Sequence, residues 1–332
     1  MSIPVTARPL ALAAAFATSL SLPSLPAGAQ SPVKWDLPTG YAVNSFQTEN
    51  VQAFADEVDR ATAGKLKITL HPNASLFKAN EVKRAVQSGQ AQAGEFLISS
   101  AANENPLFGV DSLPFLATSY AQARKLADAQ RPALEKLLAA QGMRLLFSVP
   151  WPPQSLFSVK PVRGPDDLKR KKMRAYNPAT TRIATLLKAQ PVTIQLAELG
   201  QALATGAVDN FLTSSAAGVE SKLYEKTRYV YTVAAWLPRN VTVVNAKAFG
   251  ALDPAVQKSV LEAAAAAEAR GWQESERKDA EYLRELAAKG VQVAPPPEAL
   301  RKQLVAIGAT MLNEWLKSAG PEGRALIDAY RR

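Results

Sequence analysis

The run Asp167-Leu168-Lys169-Arg170-Lys171-Lys172-Met173-Arg174-Ala175-Tyr176-Asn177-Pro178 is the most informative stretch of the chain. Its first half sets four consecutive cations beside Asp166 and Asp167, a mixed-charge pattern that reads as a solvated turn. Its second half, Lys172–Ala175, reads as a strand, and helical spacing follows from about Thr180 to Ala189. The unit is turn, strand, helix, with Arg174 on the strand. On residue type alone, an arginine in a basic run is usually solvated.

Working outward, the same alternation recurs. Toward the N-terminus lie a helix over Asn50–Thr62 with Val51, Phe54, Ala55 and Val58 on one face and Gly64 as its stop, and a strand over Leu66–Leu70. Further helices are predicted over Asn80–Ser88 and Tyr120–Gln141, with strands over Glu95–Ser99 and Arg144–Val149. Toward the C-terminus come a helix over Ala197–Thr205, a strand over Val241–Asn245, and a long helix from Asp253-Pro254 to about Lys289 that only Gly271 interrupts. A final amphipathic helix carries Leu300, Leu304, Ile307, Met311 and Trp315. Short β-rich runs alternating with helices define an α/β architecture. The three prolines in Val149-Pro150-Trp151-Pro152-Pro153 cannot join a central ladder and mark a crossing between two lobes.

The N-terminus sets the compartment. Arg8, the apolar run Leu10–Leu22 and the triplet Ala27-Gly28-Ala29 have the layout of a secretory signal peptide. The apolar run falls short of the roughly 20 residues that a bilayer-spanning helix needs. Residues 1–29 are therefore expected to be cleaved after Ala29, leaving 303 of the 332 residues as a periplasmic protein that starts at Gln30. The chain has no cysteine, hence no disulfide and no thiolate chemistry. Its formal charge of +10 falls to +9 without Arg8, but acids alternate with the cations along most of the chain, and nucleic acid is not an expected partner.

Catalysis finds little support in the inventory. His71 is the only histidine, at the end of a strand, so no triad or multi-histidine metal site is available. There is no G-x-S-x-G, no P-loop and no G-x-G-x-x-G. Asp166 and Asp167 are adjacent in a turn, which does not suit a glycosidase pair.

The quoted stretch resembles the D-L-K-G-x-K-x-R motif of the solute-binding proteins of tripartite ATP-independent periplasmic (TRAP) transporters. Pro191–Asp209 resembles the same family's next signature, Pro-Val, then E-x-x-x-A-L and G-x-V-D. Gly64-Lys65-Leu66, Leu113-Pro114-Phe115-Leu116 and Val244-Asn245-Ala246-Lys247 add matches in order and spacing across the mature chain. The resemblance implies a two-lobed periplasmic-binding-protein fold with a hinge and a long lobe-spanning helix. It places lobe I in residues 30–150 and about 239–285, and lobe II in 151–238 and about 286–332. It also implies a monomer that captures a small organic carboxylate and delivers it to membrane permease subunits. Arg170 stands where the family usually has glycine, so a turn needing positive φ would be strained there.

By position in the motif, Arg174 is the residue that binds the ligand carboxylate, and a planar guanidinium suits that task. Gln154, Tyr176 and Asn177 flank the crossing and the arginine strand, and Asn210, Thr213, Ser214 and Ser215 follow the G-x-V-D signature. Trp151, Phe211 and Trp236 are nearby aromatics, and Asn44 and Glu95 are the candidates from the first lobe. No acid occurs in Asn210–Ala217 where some relatives place a metal-binding one, so neither metal nor cofactor is expected. One arginine amid neutral groups and aromatics favours a monocarboxylate with a 2-hydroxy or 2-oxo group and an apolar or aromatic tail. Arg239 and Arg182 are the residues that would convert the site to a C4-dicarboxylate binder, and a ligand-binding subunit of a sensor would use the same fold.

Overall fold

The computed structural model describes residues 1–4 and 31–332; residues 5–30, with most of the leader and its expected cleavage point, lie outside the described residues. In chain order the elements are β1 (Val33–Pro38), α1 (Phe46–Ala61), β2 (Leu66–His71), α2 (Val82–Ser88), β3 (Ala93–Leu97), α3 (Tyr120–Ala140) and β4 (Met143–Pro150). Then follow β5 (Ser155–Ser158), β6 (Lys172–Ala175), α4 (Pro178–Leu186), β7 (Gln190–Thr193), α5 (Leu196–Ala204), β8 (Asn210–Thr213), α6 (Ser215–Glu220) and β9 (Tyr229–Tyr231). The chain ends with β10 (Arg239–Asn245), α7 (Ala246–Gly250), α8 (Pro254–Ala288), β11 (Gln292–Ala294) and α9 (Glu298–Arg331).

Three sheets organise these elements. β1 and β2 form a parallel pair, β10 sits between β3 and β4, and the third sheet has the order β11-β9-β5-β8-β6-β7. A bridge from Thr39 to Glu95 joins the first two sheets. β10 is antiparallel to both its neighbours, so the chain leaves the first lobe after β4 and returns beside the strand it left by. The two crossings run side by side. Trp151 N donates to Pro238 O at 2.8 Å, Gln154 N donates to Trp236 O at 2.9 Å, and Ala235 N donates to Gln154 O at 3.2 Å. Pro150 ends β4 and Pro152 and Pro153 lie between strands, where a missing N–H costs no ladder bond.

The helices follow their apolar spacing. α1 buries Val51, Phe54, Ala55 and Val58 against the first lobe. α9 buries Leu300, Leu304, Ile307, Met311 and Trp315 in one cluster with Leu156, Met173, Ile183 and Trp236. α8 has 35 residues and so runs about 50 Å. Val260 and Ala264 near its start pack into the first lobe's core, while Leu286 near its end packs with Phe157 and Phe211 of the second.

Two details explain sequence oddities. The basic run is an exposed turn over Lys169–Lys171 that leads into β6; in this turn Lys169 pairs with Asp166 at 2.7 Å and Arg170 adopts φ +58°. The turn does require the left-handed conformation, which costs a side-chain-bearing residue about 1 kcal/mol relative to glycine. Gly271, the one break in the α8 pattern, lies where the helix meets β4. A Cβ there would stand 2.4 Å from Val149 Cγ2 and 2.8 Å from Asn50 Nδ2.

Because backbone and core side chains on both sides fix that approach, Gly271→Ala is expected to lower unfolding stability by about 1 to 3 kcal/mol. Urea denaturation of the two proteins measures it; equal midpoints would show that α8 is free to shift away from β4.

Candidate functional site

In open α/β sheets, loops at the carboxyl ends of strands gather into a crevice. Here such loops, together with the two crossings, enclose a cavity of about 510 Å³. The first lobe contributes Tyr41, Glu95 and Ser100, the second Arg174, Tyr176, Gln195, Thr213 and Ser214, and the crossings Trp151, Gln154 and Pro238. Lys78 and Glu198 line the same cavity and are exposed.

Arg174 sits on β6, between β7 and β8, with 4 % of its surface exposed. Its Nε donates to Ile194 O at 2.9 Å, and its guanidinium carbon lies 4.8 Å from the centre of the Tyr176 ring. Its terminal nitrogens carry no hydrogen bond and no carboxylate among the described residues. Burial lowers its pKa to about 10, so it stays cationic at neutral pH. The result is a desolvated two-donor fork facing a cavity.

Glu95 is the acidic counterpart on β3, and it too lacks a charged partner among the described residues. Thr39 Oγ1 donates to its Oε2 at 2.6 Å and Asn240 Nδ2 to its Oε1 at 2.9 Å. Asn240 Oδ1 accepts from Trp151 Nε1 at 2.9 Å and from Tyr41 OH at 3.0 Å. An indole N–H can only donate, which fixes the Asn240 amide with its NH₂ toward Glu95. Burial pushes the Glu95 pKa up, and the two donors pull against that rise.

Of the residues singled out in the sequence, Arg174, Gln154, Tyr176, Thr213, Ser214, Trp151 and Glu95 meet at this cavity. Ser214 also caps α6, accepting from Ala217 N at 3.1 Å. The other four stand off the wall. Asn177 caps α4, accepting from Thr180 N at 2.8 Å and donating to Ser99 Oγ at 2.9 Å. Phe211 stacks on Phe157 inside the second lobe, with ring centres 5.2 Å apart. Trp236 is buried in the core beside the Tyr176 phenol, its N–H short of hydrogen-bonding geometry. Asn44 is exposed and donates to Glu220 O at 3.3 Å. Of the weaker candidates, Asn210 accepts from Ser158 Oγ at 2.6 Å and Ser215 donates to Asp279 at 2.7 Å, both away from the cavity.

The two arginines that threatened a second carboxylate site are committed elsewhere. Arg239 is buried against Asp111, Gln130 and Ser148, and exposed Arg182 pairs with Glu314 at 2.6 Å. His71 hydrogen-bonds Asp36 at 2.7 Å, off the cavity wall.

Sequence reasoning missed Tyr41 and Gln195. Both follow short strands, β1 and β7, that were not recognised; a strand assigned to Val33–Pro38 would have drawn attention to the loop that carries Tyr41.

The geometry is that of a two-lobed protein whose cleft holds one buried cation among the described residues. The chain belongs to the bacterial extracellular solute-binding proteins of family 7, whose pattern matches residues 39–318. The Bordetella pertussis protein DctP6, an extracytoplasmic solute receptor binding pyroglutamic acid, is 50 % identical. The two superpose with a TM-score of 0.88 over 90 % of this chain and 99 % of that one. A TRAP solute-binding protein from a marine metagenome, solved with co-purified pyroglutamate, is 41 % identical with a TM-score of 0.89 over 91 % and 99 %. A solute-binding protein of Albidiferax ferrireducens is 29 % identical over 191 residues, which is 56 % of each chain.

Glu220, close to the crossings, titrates in an accessible range. Its carboxylate accepts from Phe46 N, at the start of α1, and from Tyr282 OH, both at 3.0 Å, and burial raises its pKa from 4.5 to about 7. A raised acid pKa means stability present below pH 4.5 that is lost as pH rises through 7. Melting temperatures measured from pH 5 to 8 are expected to fall more steeply in the wild type than in Glu220→Gln. Parallel curves would show that Glu220 titrates alike in the folded and unfolded chains.

Proposed function

We propose that this TRAP-type receptor captures a small cyclic monocarboxylate bearing an N–H, with L-pyroglutamate the first candidate. The observation that carries the reading is the Arg174 fork and the Glu95 acceptor facing one cavity. A ligand carboxylate pairs with Arg174, and a lactam N–H donates to Glu95. A flat, largely apolar ring is buried against Trp151 and Tyr41. Two relatives, 50 % and 41 % identical, are described as binding pyroglutamate, which supports the same chemistry here. A dicarboxylate would need a second buried cation, and neither Arg239 nor Arg182 reaches the cavity.

On this reading residues 1–29 are a leader cleaved after Ala29. Residues 30–150 with about 239–285 form one jaw, and 151–238 with about 286–332 the other. The protein works as a monomer in the periplasm, releases its ligand unchanged, and hands it to membrane permease subunits.

Calorimetry on protein stripped of ligand by unfolding and refolding, titrated with L-pyroglutamate, mandelate, lactate and succinate, tests the ligand class. Pyroglutamate is expected to bind tightest; succinate in first place would overturn the single-cation argument. Arg174→Ala is expected to cost about 2 to 5 kcal/mol, or roughly 30-fold to several thousand-fold in Kd, without unfolding the protein. Arg174→Lys should recover only part of that, because a point charge cannot reproduce the fork. Wild-type affinity in Arg174→Ala would remove the anchor.

A further inference from the structure

Gln154 occupies an unusual position, since it belongs to the hinge and to the cavity at once. Its backbone N–H donates to Trp236 O at 2.9 Å and its backbone carbonyl accepts from Ala235 N at 3.2 Å, which locks it into the paired crossings. Its side chain is buried, with 3 % of the residue exposed. The Nε2 donates to Pro152 O at 3.2 Å, and since only the amide nitrogen can do so, Oε1 is turned the other way. That Oε1 accepts from Tyr176 OH at 3.0 Å.

The Tyr176 ring in turn supports the Arg174 guanidinium at 4.8 Å, and the remaining support is the single Nε bond to Ile194 O. One main-chain bond leaves the guanidinium plane free to rotate about it, so the ring face sets where the two free nitrogens point. The hydroxyl end of that ring is tied to the crossing, while its backbone continues from β6, which carries Arg174.

We propose that Gln154 is a positioning residue that couples the presentation of the Arg174 fork to the state of the hinge, acting through the Tyr176 phenol. When the crossings hold the geometry seen here, Gln154 draws the phenol into place and the fork faces the cavity. When the hinge flexes open, the Gln154 amide turns with it, the phenol loses its acceptor, and the fork loses its orientation. Ligand binding at Arg174 and closure of the lobes therefore favour one another. Gln154 influences affinity without being the partner of the ligand carboxylate. The proposal rests on the reading of Arg174 as the carboxylate anchor.

A double-mutant cycle separates this coupling from direct ligand contact. Gln154→Leu removes the acceptor at similar volume, Tyr176→Phe removes the donor and keeps the ring, and the double variant removes both. The probe is L-pyroglutamate, followed by calorimetry and stopped-flow fluorescence, with ligand-free melting curves as the control for folding. Each single variant is expected to weaken binding roughly 3- to 10-fold, the range for one hydrogen bond, mainly through faster dissociation. The double variant should be no weaker than the weaker single one. Losses that multiply, or wild-type affinity in Gln154→Leu, would overturn the proposal. If Gln154→Leu does not fold, Gln154→Asn breaks the same bond by shortening the side chain and is read by the same criteria. Failure of the wild type to bind L-pyroglutamate sinks only the ligand reading. The cycle is then run with the acid of the panel that binds tightest, so the two failures remain distinct.

Discussion

Burying a guanidinium with no carboxylate beside it is the constraint around which this structure is arranged. Desolvating a charge costs several kcal/mol even after relaxation, and a fold keeps such a group only where something repays that cost. Arg174 has one carbonyl and one aromatic face for company, enough to orient it but not to neutralise it. It stays cationic and faces the cavity. The second lobe is built to hold this position: β6 runs between β8 and β7, and strands on both sides keep the arginine from escaping to water.

The paired crossings serve the same arrangement. On the proposed reading, a ligand anion is desolvated when the second lobe closes on it, through crossings that bend without losing register. Pro150, Pro152 and Pro153 strip hydrogen-bond donors from one crossing, so its few bonds to the other concentrate at Trp151 and Gln154. α8 crosses as well, and its tight contact at Gly271 pins it to β4 of the first lobe while Leu286 is embedded in the second.

The long helices were legible in the sequence because they have enough residues to display a period. α1, α3, α8 and α9 fall where their apolar spacing puts them, and β2, β4, β6 and β10 within two residues of the expected bounds. The strands that escaped notice, β1, β5, β7, β8, β9 and β11, have three to six residues each and, unlike β6 of similar length, were not set off by a neighbouring motif, and β7 even contains Pro191, tolerated because β7 is an edge strand. Those omissions carried over to the site. Seven of its candidates were found through motif position and nearness to the crossing, but Tyr41 and Gln195, after the unseen β1 and β7, were not, and Asn44 was named in place of Tyr41. Asn177, Phe211 and Trp236 share a neighbourhood with true wall residues. Which neighbours turn inward is settled by local partners, a helix N-terminus for Asn177 and Phe157 for Phe211, that sequence distance does not reveal.

Three buried acids show how differently the same problem can be solved in one molecule. Asp111 has Arg239, whose backbone N–H also donates to it at 2.9 Å. Glu220 has the N-terminus of α1, where a helix end supplies partial positive charge and free N–H groups. Glu95 has only the neutral donors Thr39 and Asn240, and it alone of the three lines the cavity. A carboxylate satisfied by two donors still has lone pairs to spare, and those of Glu95 lie at the cavity wall. The asymmetry between a fully provided Asp111 and an under-provided Glu95 therefore mirrors that between Arg239 and Arg174. In each charge type, the group that already has its partner lies off the cavity, and the group without one lines it.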